Sequence, residues 1–435
     1  MGHMAFKDVF RQAGEKMDNM TVRAPYTDTL YEIIRELYTE KEAEVYARMP
    51  YSMSSAARVA KSCGMSVDEA RPVLESLADK GLVIDVLAGE EYVYMPSPMA
   101  VGVFEFTMMR LGGNTDMKKW AGLFHSLLQD GGFYDANFRG GERTSPLRTI
   151  PHEGTVADHV EVLDYEKASS IVKDQSRLAI GNCSCRHEKH HAGHKKCEVP
   201  LDTCSTFGMG ADFLVRHNMG REVDTSEMLD NLARSREAGL VFNADNVRDG
   251  IQAICHCCSC CCNVLLGINT FGYPNTVVTS NYIAAVDESE CNGCGKCAKA
   301  CPVQAMSMQP TEDPRYKTKK RPQLDESFCI GCGVCATKCP TGALKLLPRK
   351  QRVILPENQF ERVVLQCLDR GTLQYQIFDD QEKFTHRTMA AFLGAFFKLP
   401  PVKKALMSDV LRSRFLDAMK GGLHAQGKGW ILDLK

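Results

Sequence analysis

Apolar residues recur at helical spacing early in the chain. Leu30, Ile33, Ile34 and Leu37 share one face of a helix predicted over 27–38. A second short helix is predicted over 42–49 and a third over 54–63, the latter ended by Gly64. Ser66-Val67-Asp68-Glu69 has the form of a capping box, with Ser66 at the N-cap and Glu69 three residues on. The helix it opens runs to Lys80, with Val73, Leu74 and Leu77 inward and Gly81 as its stop. Pro72 sits late for a first turn and predicts an irregular start. Residues 82–87 and 92–95 then read as a hairpin around Ala88-Gly89-Glu90.

The pattern is less regular further on. Helical pieces are predicted over 103–111 and 117–129, and Gly131-Gly132 and Gly140-Gly141 mark a loop or linker. Pro146 and Pro151 bracket Leu147-Arg148-Thr149-Ile150, an extended segment continuing to Val162. A helix over 165–178 places Ala168, Ile171 and Val172 inward. Residues 207–249 read as helical, with Asp224-Thr225-Ser226-Glu227 before Met228 and Leu229, and a short extended piece after Ala238-Gly239. The tail is helical. Its apolar stretch 389–397 suits packing on its own domain, docking on a partner or lying on a membrane surface, with own-domain packing the commoner outcome.

Three helices followed by a two-stranded wing resemble the winged helix-turn-helix family. The resemblance implies a helix over 66–80 set for a DNA major groove. Its exposed charges oppose that role: Asp68, Glu69, Glu75 and Asp79 outnumber Arg71 and Lys80, and phosphate contact needs Lys and Arg. A docking module is the favoured reading, and nucleic acid is not an expected partner.

At 435 residues the chain is too long for one core. A formal net charge of −1 gives no general argument for a polyanionic partner. Met1-Gly2-His3-Met4 reads as a cloning remnant, and the polar start Phe6-Lys7-Asp8 is no signal peptide. No apolar run is long enough to span a membrane.

Cysteine changes the picture. Of twenty, one is Cys63, eighteen lie from Cys183 to Cys339, and one is Cys367. Adjacent cysteines and Cys-x-x-Cys runs in a long chain read as thiolate ligand sets in a reducing cytoplasm, not as a disulfide framework.

The most specific signal is a repeat of C-x2-C-x2-C-x3-C-P. Cys291, Cys294, Cys297, Cys301 and Pro302 match Cys329, Cys332, Cys335, Cys339 and Pro340. This resembles the bacterial two-cluster ferredoxins over about residues 285–347. The resemblance implies two [4Fe–4S] cubes with crossed ligation. One takes Cys291, Cys294, Cys297 and Cys339; the other takes Cys329, Cys332, Cys335 and Cys301. Paired zinc sites use a different spacing. Twenty-seven residues separate Cys301 from Cys329, and Arg315, Lys317, Lys319, Lys320 and Arg321 in this insert suggest a basic hairpin. It reads equally as a docking patch or as a solvated loop.

Two further sets are candidate metal ligands. Cys183, Cys185, Cys197 and Cys204 supply four thiolates around a polar excursion holding His187, His190, His191 and His194. A histidine could replace a cysteine on iron, but the polar reading is favoured. The run Cys255-His256-Cys257-Cys258-Ser259-Cys260-Cys261-Cys262 supplies six more. If helical, Cys255, Cys258 and Cys262 share one face, and Cys257, Cys260 and Cys261 share another, so the run could serve two centres. Ten cysteines allow two cubes with two to spare, a cube plus a five-cysteine noncubane cluster, or one cube with an open iron or a resolving thiol pair. Two extra clusters is the preferred count.

The expected architecture is α+β and multidomain: a winged-helix-like domain (5–100), a mostly helical cysteine-rich domain (101–284), a two-cluster ferredoxin domain (285–347) and a helical C-terminal extension (348–435). Residues 180–345 resemble iron–sulfur proteins of anaerobes that pair such cysteine sets with a ferredoxin. The expected function is low-potential electron transfer to a protein redox partner, with a homo-oligomer left open. The alternatives are a reductase acting on a small substrate at an open or noncubane cluster, and a redox-sensing regulator. No nucleotide-binding fingerprint is present.

Overall fold

The computed structural model describes residues 8–110, 116–408 and 410–433. Met1–Met4, Phe6, Lys7 and the predicted helix end at Leu111 lie outside the described residues. The chain divides into two compact units. One is drawn from the residues before 145, 213–219 and those from 357 on; the other comprises 145–212 and 220–356.

In the first unit the expected helices form over Asp28–Leu37, Glu40–Arg48, Ala56–Cys63 and Val67–Asp79, preceded by one over Val9–Asp18. Local chemistry sets their starts. Thr39 with Glu42, and Ser66 with Glu69, make reciprocal capping boxes that satisfy backbone donors at each helix start. Pro72 remains inside its helix and does not disturb the start. Gly81 is left-handed at φ +72°, and a Cβ there would fall 2.2 Å from Cβ of Phe106, so only glycine fits this turn. Strands β1 (Ser54–Ser55), β2 (Val83–Ala88) and β3 (Glu91–Pro96) form an antiparallel sheet in the order β1-β3-β2.

The tail is helical, as its pattern predicts, over Gln359–Arg370, Leu373–Ile377, Phe384–Phe397, Pro400–Leu406 and Arg412–Ala425. Val364, Leu365, Cys367, Leu368, Leu373, Phe397 and Leu416 share a core. The apolar stretch 389–397 is split: Ala390, Gly394 and Phe397 are buried, whereas Met389, Phe392 and Phe396 are exposed.

The second unit corrects the expectation of a mostly helical cysteine-rich region. It holds a six-stranded sheet of β4 (Leu147–Ile150), β5 (Leu178–Asn182), β6 (Asp202–Phe207), β7 (Gly220–Glu222), β8 (Val241–Asp245) and β9 (Ala253–Cys257). The order is β4-β8-β9-β6-β5-β7, with every pairing antiparallel. The predicted helix over 165–178 shrinks to Ala168–Lys173, and Leu178 opens β5. Two of these strands, β4 and β8, escape a periodicity search because both faces are covered: every residue of each is buried, so no alternation appears. The extended reading of 147–150 and the helix beginning after Asp224 both hold.

The rest of this unit contains two antiparallel strand pairs. β10 (Tyr282–Val286) pairs with β13 (Leu344–Pro348), and β11 (Met306–Pro310) pairs with β12 (Lys320–Leu324). Short helices Lys296–Ala300 and Val334–Thr337 carry the third cysteine of each run.

Candidate metal centre

The two cysteine runs fold as a structural repeat. Gly293 and Gly331, at equivalent positions, are both left-handed, at φ +68° and +70°. A Cβ on Gly293 would stand 2.4 Å from the Lys320 carbonyl oxygen, and one on Gly331 would stand 2.2 Å from Ser280 Oγ and the Tyr282 carbonyl oxygen. Only glycine lets the loop wrap this tightly. The repeat begins earlier than the cysteines suggest. Asp287 accepts from the Ser289 N–H at 2.9 Å, and Asp325 accepts from the Ser327 N–H at 2.9 Å. The signal was present in the sequence as Asp-Glu-Ser-x-Cys, at 287–291 and again at 325–329.

A cavity is lined by Cys291, Cys294, Cys297 and Cys339 together with Gly293 and Gly295. Three thiols of the first run and the last thiol of the second therefore meet. Cys332 and Cys335 lie within electrostatic reach of Cys301 and Cys329. Burial raises the thiols of Cys297, Cys301, Cys332 and Cys335 above their ordinary value. Cys339 goes the other way: against the cost of burial, bonds from Thr341 and the backbone N–H groups of Thr341, Ala343 and Leu344 pull it down. A buried, high-pKa thiol becomes thiolate when a metal replaces its proton. Four convergent thiols around a glycine-walled cavity fit a [4Fe–4S] cube, to which they would supply ligands while the cube supplies one-electron chemistry.

The insert between the runs is a hairpin, β11–β12. Its charge is partly spent internally: Arg315 bonds Asp313 at 2.6 Å and reaches Glu288 at 3.5 Å, and Arg321 lies 3.6 Å from Glu288. Lys317, Lys319 and Lys320 remain exposed.

The six-cysteine run is not a helix, which corrects the two-face division made on helical spacing. Cys255 and Cys257 belong to β9, a turn carries 258–261, and the helix Asn263–Asn269 starts only after Cys262. The sheet decides the grouping. Gly181 of β5 pairs with Cys204 of β6, and Ile254 of β9 pairs with Ser205. Cys204 and Cys255 therefore meet, and their thiols bond each other. Cys183 lies in the same neighbourhood. Cys262 contacts Cys185 and Cys257. The contact with Cys204, then burial, drives the Cys255 thiol up; burial drives up Cys183. Asn243 on β8 donates its amide N–H to Cys257 Sγ at 3.3 Å.

Cys258, Cys260 and Cys261 turn away from that group and meet Cys197. Sγ separations are 3.8 Å for Cys197–Cys258, 4.0 Å for Cys197–Cys261, 3.7 Å for Cys258–Cys260 and 3.5 Å for Cys260–Cys261. The four sulfurs all lie within 4.8 Å of one another. Cys258 is pulled down by its bond with Cys261 and, against burial, by Arg186.

Arg186 is the residue that sequence reasoning missed. The supposed polar excursion begins as a helix, Ser184–His191, in which Arg186, His187, Glu188 and Lys189 are all buried. Arg186 Nη1 donates to Thr203 Oγ1 at 2.7 Å and the Pro200 carbonyl at 2.9 Å; Nη2 donates to the His256 carbonyl at 2.9 Å and lies 3.7 Å from Cys258 Sγ. Its position one residue after Cys185 was the available clue. His187 and His191 face each other, Nε2 to Nε2 at 2.9 Å.

Thiols of the two repeated runs and of the central sets share one apolar cluster. Cys257, Cys262, Cys329, Cys332 and Cys335 are buried in it with Val241, Leu265, Ile330 and Val334, and Cys255, Cys297, Cys301 and Cys339 pack against it.

Comparison with known proteins gives one match. A family model described as a 4Fe-4S dicluster domain matches residues 290–343. This segment, with its eight cysteines, defines an iron–sulfur protein carrying [4Fe–4S] clusters. No curated protein and no solved structure matches the chain. Among the described residues, no helix is long and apolar enough to cross a membrane.

Proposed function

We propose that this protein is a multi-cluster electron-transfer protein that passes low-potential electrons between its dicluster domain and a central cysteine-held cluster. The observation that carries this reading is the single apolar cluster containing Cys257 and Cys262 alongside Cys329, Cys332 and Cys335. Thiolate ligands of neighbouring centres buried in one continuous low-dielectric medium place redox groups close together, away from water.

In this reading one cube is held by Cys291, Cys294, Cys297 and Cys339, and the other by Cys329, Cys332, Cys335 and Cys301. Cys183, Cys185, Cys204, Cys255, Cys257 and Cys262 supply the ligands of the central cluster. The amide of Asn243 on Cys257 Sγ offsets thiolate charge and raises the potential there relative to an unbonded thiolate. Cys294 is exposed, which makes the first cube the port for a protein redox partner. The exposed lysines of the β11–β12 hairpin favour an acidic docking surface on that partner. The three-stranded sheet and helices of the first unit act as a winged-helix docking module in a cytoplasmic protein; acidic Asp68, Glu69, Glu75 and Asp79 on the helix Val67–Asp79 oppose DNA binding.

Six thiols exceed the four that a cube needs, and this favours a second reading in which a noncubane or open central cluster reduces a small substrate. Redox titration of anaerobically purified protein, followed by electron paramagnetic resonance (EPR), tests the relay. Broadened, mutually coupled signals from the dicluster and central centres are expected. A central region that binds no iron would overturn it.

A further inference from the structure

The ten central cysteines divide into two groups of different geometry. A tetrahedral metal ion with metal–sulfur bonds of about 2.3 Å sets its four sulfurs about 3.8 Å apart. A cube pushes its ligand sulfurs outward on four separate irons, so they stand roughly 6.5 Å apart. The measured separations among Cys197, Cys258, Cys260 and Cys261 are 3.5, 3.7, 3.8 and 4.0 Å. The remaining pairs, Cys197–Cys260 and Cys258–Cys261, are also in bonding contact. Four edges therefore match one metal ion, and the other two, under 4.8 Å, are likewise too short for a cube.

The geometry points to a mononuclear tetrathiolate site at Cys197, Cys258, Cys260 and Cys261 that holds a single borderline-soft divalent cation, zinc in preference to ferrous iron. The affinity order places zinc above ferrous iron on the same ligands. Four protein sulfurs close the coordination sphere, which is the arrangement of a structural site.

The surroundings suit this charge. Four thiolates on a divalent ion leave two net negative charges. Arg186, fully buried, directs Nη2 at Cys258 Sγ and ties the site to Pro200, Thr203 and His256. The sulfurs pack with Leu240 and Val199, in an apolar cluster distinct from the one that holds Cys257 and Cys262. The ion would pin the loop carrying Cys197 to the turn after β9 and so hold Cys255, Cys257 and Cys262 in place for the central cluster.

This inference rests on the electron-transfer reading only for the partition of the remaining cysteines. Six are left for one central cluster, so total iron comes to about twelve per chain instead of about sixteen.

X-ray absorption and elemental analysis of the full chain, purified anaerobically, test it. The expected result is one zinc per chain, four sulfurs at about 2.3 Å and no metal neighbour. In C197A and C260A, zinc should be lost while the EPR signals of the reduced dicluster domain persist. One iron in the same four-sulfur shell, without a metal neighbour, would keep the mononuclear site and reverse the choice of ion. A metal–metal vector at this site, or loss of about four irons on C260A, would overturn the proposal. Absence of the dicluster signals from wild-type protein that holds its zinc would instead overturn the electron-transfer reading.

Discussion

Arg186 Nη2 lies 3.7 Å from Cys258 Sγ, and the same guanidinium holds the carbonyls of Pro200 and His256 and the hydroxyl of Thr203. One buried cation thus joins the helix after Cys183 to the loop before β6 and to the end of β9. Replacing it with a neutral side chain strands three acceptors and an uncompensated sulfur charge. R186M is predicted to lose about 3 kcal/mol of stability, and R186K, which keeps charge but not the fork, should recover only part. Melting curves with metal analysis check this; an R186M protein that melts like wild type and keeps its metals would remove Arg186 from the site.

Crossed ligation makes a separable prediction. Cys339 lines the cavity of Cys291, Cys294 and Cys297, the first three cysteines of the other run. C339S should alter or abolish one cube's EPR signal, and C301S should affect the other. If C339S and C335S disturb the same cube and leave the second intact, each run holds its own cluster and the crossed scheme fails.

Gly331 tolerates no side chain. It sits at φ +70°, and a Cβ would meet Ser280 Oγ and the Tyr282 carbonyl at 2.2 Å. The backbone strain alone is about 1–2 kcal/mol, and the clash with a carbonyl adds to it. G331A should therefore lower iron by about four per chain, whereas G342A, where a Cβ meets nothing within 4 Å, should keep its full iron despite strain at φ +73°. Iron assay and visible absorption decide; equal loss in both variants would contradict the close-approach argument.

The first unit carries a pH signature. Burial drives the Lys16 amine down from 10.5 to about 7, although it donates to the carbonyls of Ala47 and Met49. Between about 7 and 10.5 the unfolded chain binds a proton that the folded chain has lost, so this residue's contribution makes stability rise with pH across that window. Below about 7 the penalty for burying the charge is fully present. The total gain is on the order of 4 kcal/mol. The difference in stability between wild type and K16M, measured by denaturation from pH 6.5 to 10.5, should change by about that amount; a constant difference would mean that Lys16 stays charged when buried.

Much of this protein was legible from local pattern. The capping boxes at Thr39 and Ser66, the stop at Gly81 and the helices around them follow from residues within a few positions of one another. The dicluster domain is equally local: its spacing, glycines and prolines repeat along the chain. Even there, the repeated Asp-Glu-Ser turn escaped notice because it lies outside the cysteine spacing.

The sequence by itself determined that eighteen cysteines crowd residues 183–339 and that eight of them repeat in the spacing of a 4Fe-4S dicluster domain. Only the tertiary structure decided how the other ten divide. Adjacent residues of a strand point to opposite faces, and a turn redirects those that follow, so neighbours in the run 255–262 part company. Cys255 joins Cys204 across a sheet register, and Cys258 joins Cys197 from sixty-one positions away. Such pairings join residues far apart in the chain through sheet register, which spacing within the run does not encode, and that is why the helical reading of this run failed.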